Sequence, residues 1–163
     1  MDFSISDLAE EVSDLAHESA GGGKPIEELT SDELYNLGLD LEELDQNQAK
    51  NVYQRAASLD PTNVDAVINL GRILQLEGDL KMAKQAYERG LSLNPRHELA
   101  NYNLGTIFDE LEETSIASSY YEKAPNVPDA HYNLARLKEL AGDQVSAKRH
   151  LQLYKELVEL EGF

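Results

Sequence analysis

The chain has 163 residues and no cysteine, with 31 acidic against 14 basic side chains and a formal net charge of −17. That composition excludes disulfide staples, thiolate metal sites and cysteine nucleophiles, and so acidic a surface repels nucleic-acid phosphates. Hydrophobic residues at 41% supply enough apolar surface for a packed core, while no apolar run approaches the roughly 20 residues of a membrane span. The start of the chain is acidic where a secretion signal would be basic, so a cytoplasmic location is expected. The charge is uneven: residues 1–50 carry net −12 and residues 51–163 net −5, which is compatible with a basic partner surface.

In chain order, Ser4 and Asp7 offer a cap for a first helix with Leu8, Val12, Leu15 and Ala16 on one face. Gly21-Gly22-Gly23-Lys24-Pro25 breaks that helix and sets a hinge. Thr30-Ser31-Asp32-Glu33 has the form of a capping box. From there to residue 161 apolar side chains recur at three- and four-residue steps, the signature of amphipathic helices. Val67, Leu70, Ile73 and Leu74 form one such set, and Leu80, Ala83, Tyr87 and Leu91 the next. Pro61, Pro95 and Pro125 terminate every second helix, because proline lacks an amide donor and restricts the residue before it.

The helices repeat in pairs. Gly38, Gly71 and Gly105, each after an Asn-Leu dipeptide, and Ala135 in a similar setting follow at intervals of 33, 34 and 30 residues. Around them stand Ala49-x3-Tyr53, Ala83-x3-Tyr87 and Ala117-x3-Tyr121. This resembles the tetratricopeptide repeat (TPR) family, in particular its small bacterial arrays, whose unit of about 34 residues follows W-x2-L-G-x2-Y…A-x3-F…P. The resemblance implies an all-α fold, an α-solenoid of antiparallel hairpins after an N-terminal helix, divided as 1–29 (acidic helix and hinge) and 30–163 (repeats 30–63, 64–97, 98–127 and 128–161).

The first repeat is one residue short, which predicts a tighter turn inside its hairpin. The third is four short, which predicts a second helix lacking its last turn. The fourth is degenerate. Asn101 and His131 occupy a position that is usually large and apolar, so weaker packing is expected there. On the last helix Ala147, Leu151, Tyr154 and Val158 are expected to face the hairpin partner. Leu153, Leu157 and Leu160 are left to cap the array or join a homodimer.

No catalytic or cofactor motif is present. Gly21-Gly22-Gly23-Lys24 lacks the other residues of a phosphate loop, and His17, His97, His131 and His150 share no ligand spacing. A non-enzymatic protein without cofactor or metal is expected, binding neither nucleic acid nor membrane. By family resemblance the first helix of each repeat lines a concave groove. Tyr35, Asn36, Ile68, Asn69, Arg72, Tyr102, Asn103, Thr106, Tyr132, Asn133 and Arg136 then face a bound peptide. An amide offers both donor and acceptor to an extended backbone, and tyrosine adds rigid apolar area with a polar tip. The basic clamp of TPR co-chaperones does not match, since its positions hold Tyr35, Leu39, Asn69, Leu99 and Asn103. The resemblance therefore implies an adaptor for a protein or peptide. Secretion chaperones for translocator clients, and regulatory TPR modules of transcriptional regulators, are similar alternatives.

Overall fold

The computed structural model describes residues 24–162; the expected first helix and its Gly21–Gly23 break lie outside them. Among the described residues a short 3-10 turn, Ile26–Glu28, is followed by helices alone: α1 (Ser31–Leu41), α2 (Gln46–Leu59), α3 (Val64–Leu76), α4 (Leu80–Leu93), α5 (Glu98–Glu110), α6 (Thr114–Tyr121), α7 (Pro128–Leu140) and α8 (Gln144–Glu161). The fold is the α-solenoid of helix hairpins that the repeats imply. The chain divides into two compact units, residues 1–86 and 87–163, with the boundary inside α4.

In the first unit the capping box forms as expected. Glu33 N donates to Thr30 Oγ1 (3.2 Å) and Thr30 N to Glu33 Oε2 (2.8 Å). That backbone bond, with Lys24 2.9 Å away, holds the Glu33 carboxyl below its ordinary pKa. Leu34, Leu37 and Leu41 of α1 pack with Ala49, Val52, Tyr53 and Ala56 of α2 around one core. The missing residue of this repeat is taken from the helix rather than from the turn. α1 has 11 residues where α3, α5 and α7 have 13, and four residues, Glu42 to Asp45, still link it to α2. Asp45 supplies the next cap, accepting from Asn47 N and Gln48 N. Asn63 caps α3 through Ala66 N at 3.1 Å and also donates to Ser31 Oγ at 2.8 Å, tying one repeat to the one before.

Glycine 38 has a steric reason. A Cβ there would overlap the ring of Tyr53, so only a bare Cα lets the tyrosine of the second helix lie on the first. The second unit repeats the device: a Cβ on Gly105 would come within 2.7 Å of the Tyr121 ring. Around that contact Leu104, Ile107, Ala117, Leu134 and Leu137 are buried. α6 is indeed short, with 8 residues. Asn101 and His131 correct the expectation of weak packing. They are buried, at 1% and 7% exposure, and hydrogen bonds replace the apolar contact. Asn101 Nδ2 donates to the carbonyls of Pro95 (3.2 Å) and His97 (3.1 Å), and His131 Nε2 lies 2.9 Å from the Pro125 carbonyl.

The hairpin turns differ in quality. Gly78 and Gly142 sit at φ 84° and 81°, where glycine is unstrained, whereas the corresponding residue between α5 and α6 is Glu112 at φ 60°. Asp79 and Asp143 then cap the following helices through Met82 N and Ser146 N, while Glu113 makes no side-chain cap bond. Replacing Glu112-Glu113 by Gly-Asp should raise stability by about 1–2 kcal/mol, from relief of left-handed backbone and gain of a cap. The check is the urea midpoint, which should rise without a change in slope.

Candidate functional site

The first helices of the repeats carry the residues singled out from the sequence. In the first unit Tyr35 of α1 is half-buried, its ring 6.0 Å from that of Tyr53. The Tyr53 hydroxyl donates to Glu42 Oε1 at 2.5 Å. The other oxygen of Glu42 is ion-paired with Arg72 of α3. Asn69 Nδ2 donates to the Tyr53 oxygen at 3.2 Å. Burial, reinforced by the Glu42 carboxylate, pushes the Tyr53 hydroxyl far above its ordinary pKa. Burial, then the negative charge of Asp65, pushes Tyr35 up as well. Neither phenol ionises near neutrality, so both remain donors.

The second unit carries the same arrangement. The Tyr102 ring lies 5.8 Å from Tyr121, whose hydroxyl donates to Asp109 Oδ2 at 3.0 Å. Arg136 of α7 is ion-paired with that same oxygen. Burial, followed by the Asp109 charge, raises the Tyr121 pKa. Each unit thus has a brace: tyrosine of a second helix, carboxylate of its own first helix, arginine of the next first helix. Two consequences follow. Arg72 and Arg136, expected to face a bound peptide, already have Glu42 and Asp109 as counter-charges. Among the exposed groups on these helices Asp32, Asp65, Asp129 and Glu139 are acidic.

Other expected site residues fall differently. Ile68 is 1% exposed, a core position rather than a contact surface. Asn36 is exposed and Tyr132 is 51% exposed, with its ring 5.5 Å from Tyr154 of α8. Thr106 Oγ1 is occupied by the carbonyl of Asn103 at 2.7 Å. Asn103 itself is 7% exposed, and its Nδ2 has no hydrogen-bond partner.

On α8, His150 and Tyr154 make the ring contacts with α7, so residues 147, 150, 154 and 157 share the inner face. Ala147 and Tyr154 thus face the hairpin partner as expected, while Leu151 and Val158 of the same expected set are exposed at 39% and 41%, and Leu153 and Leu157 are half-buried. Leu160 is 74% exposed. Two hollows of about 350 and 330 Å³ are lined by Ser118, Glu122 and Lys138 and by Arg96, Glu98 and Pro125. None of these is an expected site residue. Among the described residues no three His, Asp or Glu side chains are placed to hold a metal, and no helix is long and apolar enough to cross a membrane.

Residues 41–104 match the tetratricopeptide repeat family. With the repeating hairpins and the Gly–Tyr contacts in place, that match supports a TPR protein. The fold agrees with solved structures. One structure of MamA superposes with a TM-score of 0.71 at 21% identity over 99% of each chain. A second covers 81% of this chain and 75% of that one, with a TM-score of 0.66 at 24% identity. PilF of Pseudomonas aeruginosa gives 0.70 at 22% identity over 78% of this chain and 60% of that one. No curated protein matches by sequence. TPR proteins bind other proteins, so the family supports an interaction scaffold.

Among these side chains the brace is the energetic centre of the site. Tyr53→Phe leaves Glu42 with one bond fewer, and Glu42→Leu strands both the buried phenol and Arg72. Losses of about 1 and about 2–3 kcal/mol are expected. Glu43→Gln, at an exposed neighbour, should cost under about 0.5 kcal/mol. Urea unfolding of the three variants measures this.

Proposed function

We propose that this protein is a TPR adaptor that binds an extended, basic peptide segment of another protein along the first-helix faces of its repeats. The observation that carries the reading is the Asn103 side chain. A buried amide donor without an acceptor costs about 1–3 kcal/mol, and native proteins hold few such groups. Its Nδ2 is closed to solvent, so an extended chain laid beside Tyr102 would have to shift the covering side chains before a backbone carbonyl reached that donor and offset the cost on binding.

Tyr102 and Tyr132 of the same unit supply stacking area of low conformational freedom. The arginines of these helices are neutralised in place, exposed Asp129 and Glu139 stand on the same unit, and a basic segment complements them. Electrostatic complementarity of this kind chiefly speeds encounter and selects partners.

The test uses a panel of extended peptides of net charge +3 to +5, measured by fluorescence anisotropy at ~0.1 M salt, with acidic peptides of equal length as controls. Basic peptides should bind and acidic ones should not. Asn103→Ala should lower affinity about tenfold, the worth of one hydrogen bond, and should leave stability unchanged or raised. Equal binding by wild type and Asn103→Ala would remove the site from this face.

A further inference from the structure

His131 stands on α7 where a repeat usually places a large apolar residue, and it is 7% exposed. Its Nδ1 lies 3.0 Å from Nδ1 of His150 on α8, with the ring centroids 5.3 Å apart and the planes 26° from parallel. Its Nε2 lies 2.9 Å from the carbonyl of Pro125. A carbonyl can only accept, so His131 carries its proton on Nε2 and a lone pair on Nδ1. His150 must then carry its own proton on Nδ1 and donate it. A single proton lies between the two facing nitrogens, and each helix contributes one of them.

The charged groups around the pair come from three elements. Glu122 follows the end of α6, Lys138 is on α7, 3.9 Å from Glu122, and Arg149 is on α8. Burial comes first in holding His150 below its ordinary pKa, then the charges of His131, Lys138 and Arg149. Glu122 opposes them.

We propose that His131 and His150 form an acid-released latch between α7 and α8, closed while the pair holds at most one added proton and opened by a second. The first added proton goes to Nε2 of His150 and leaves the Nδ1–H···Nδ1 bond in place. The second can go only to Nδ1 of His131. Two N–H groups and two positive charges would then meet across 3.0 Å, and the bond is lost. An open hairpin carries two ordinary histidines, each taking a proton near pH 6.5. The open state therefore binds more protons. The hairpin keeps its full stability above about pH 6.5 and loses it as the pH falls, by up to tenfold in the opening constant per pH unit per proton of difference. Release removes the Tyr154 ring from beside Tyr132, so acid also loosens α7.

Long-range ¹H–¹⁵N spectra of the imidazoles in the full chain read the tautomers and the titration, and amide hydrogen exchange of residues 144–161 reads the opening. At pH 7.5 His131 should be the Nε2–H and His150 the Nδ1–H tautomer. The pair should titrate in two steps more than about one pH unit apart, as coupled sites do. Exchange in α8, corrected for its intrinsic pH dependence, should rise about tenfold between pH 7 and 5 while that in α2 does not. His131→Leu with His150→Leu restores the apolar position and should abolish the rise. Two Nε2–H tautomers titrating independently near 6.5 would overturn the latch. So would an undiminished rise in the double variant, which would place the effect on carboxylates. The tautomers of the wild type decide the matter even if that variant fails to fold.

Discussion

The closest physical constraint in this molecule is the seat of a tyrosine ring on a glycine Cα. At Gly38 and Gly105 one added methyl group would overlap the rings of Tyr53 and Tyr121. Because the ring lies that low, its hydroxyl reaches the carboxylate one turn further along the first helix, Glu42 or Asp109. The carboxylate in turn holds an arginine of the next first helix. One packing event closes the hairpin and joins it to its successor. Single hairpins cannot bury their apolar faces alone, and within each unit the brace adds a directional, charge-assisted bond between one hairpin and the next.

This chain of bonds also sets what the first-helix faces can offer. It fixes the tyrosine rings without leaving them to search rotamers, and it consumes the positive charge of Arg72 and Arg136. What is left for a partner is amide donors, phenolic edges and exposed carboxylates. One of these amides, the buried Nδ2 of Asn103, has no hydrogen-bond partner.

Much of the fold was legible in the sequence because it rests on local spacing. The Leu-Gly dipeptides, the Thr30–Glu33 capping box and the prolines after α2, α4 and α6 mark hairpins through rules that act within a few residues. The four-residue deletion before Pro125 shows directly as the eight residues of α6. The one-residue deletion in the first repeat was misplaced, because spacing cannot say whether a helix or its turn gives way. What local rules could not give were matters of pairing. Nothing local marks Glu42 and Asp109 as partners of the tyrosines, and the signal in hand was an opposite charge one repeat later at Arg72 and Arg136. Ile68 was expected on the contact surface, but its shorter side chain is buried, where the tyrosines at the same position of the other repeats reach outward. On α8 the inner face was set by His150 and Tyr154 meeting rings of α7, which moved Leu151 and Val158 outward. His131 and Asn101 looked like defects in apolar packing until partners supplied their hydrogen bonds.

The most direct test of this account is the ¹H–¹⁵N spectrum of the backbone and asparagine side-chain amides while a basic extended peptide is added. Assigned Nδ2 resonances of Asn103 should move and exchange more slowly with water once a carbonyl accepts their proton, with smaller shifts at Tyr35 and Tyr102. Saturation of binding with the Asn103 amide unmoved, and shifts gathered instead at Leu153, Leu157 and Leu160, would contradict it.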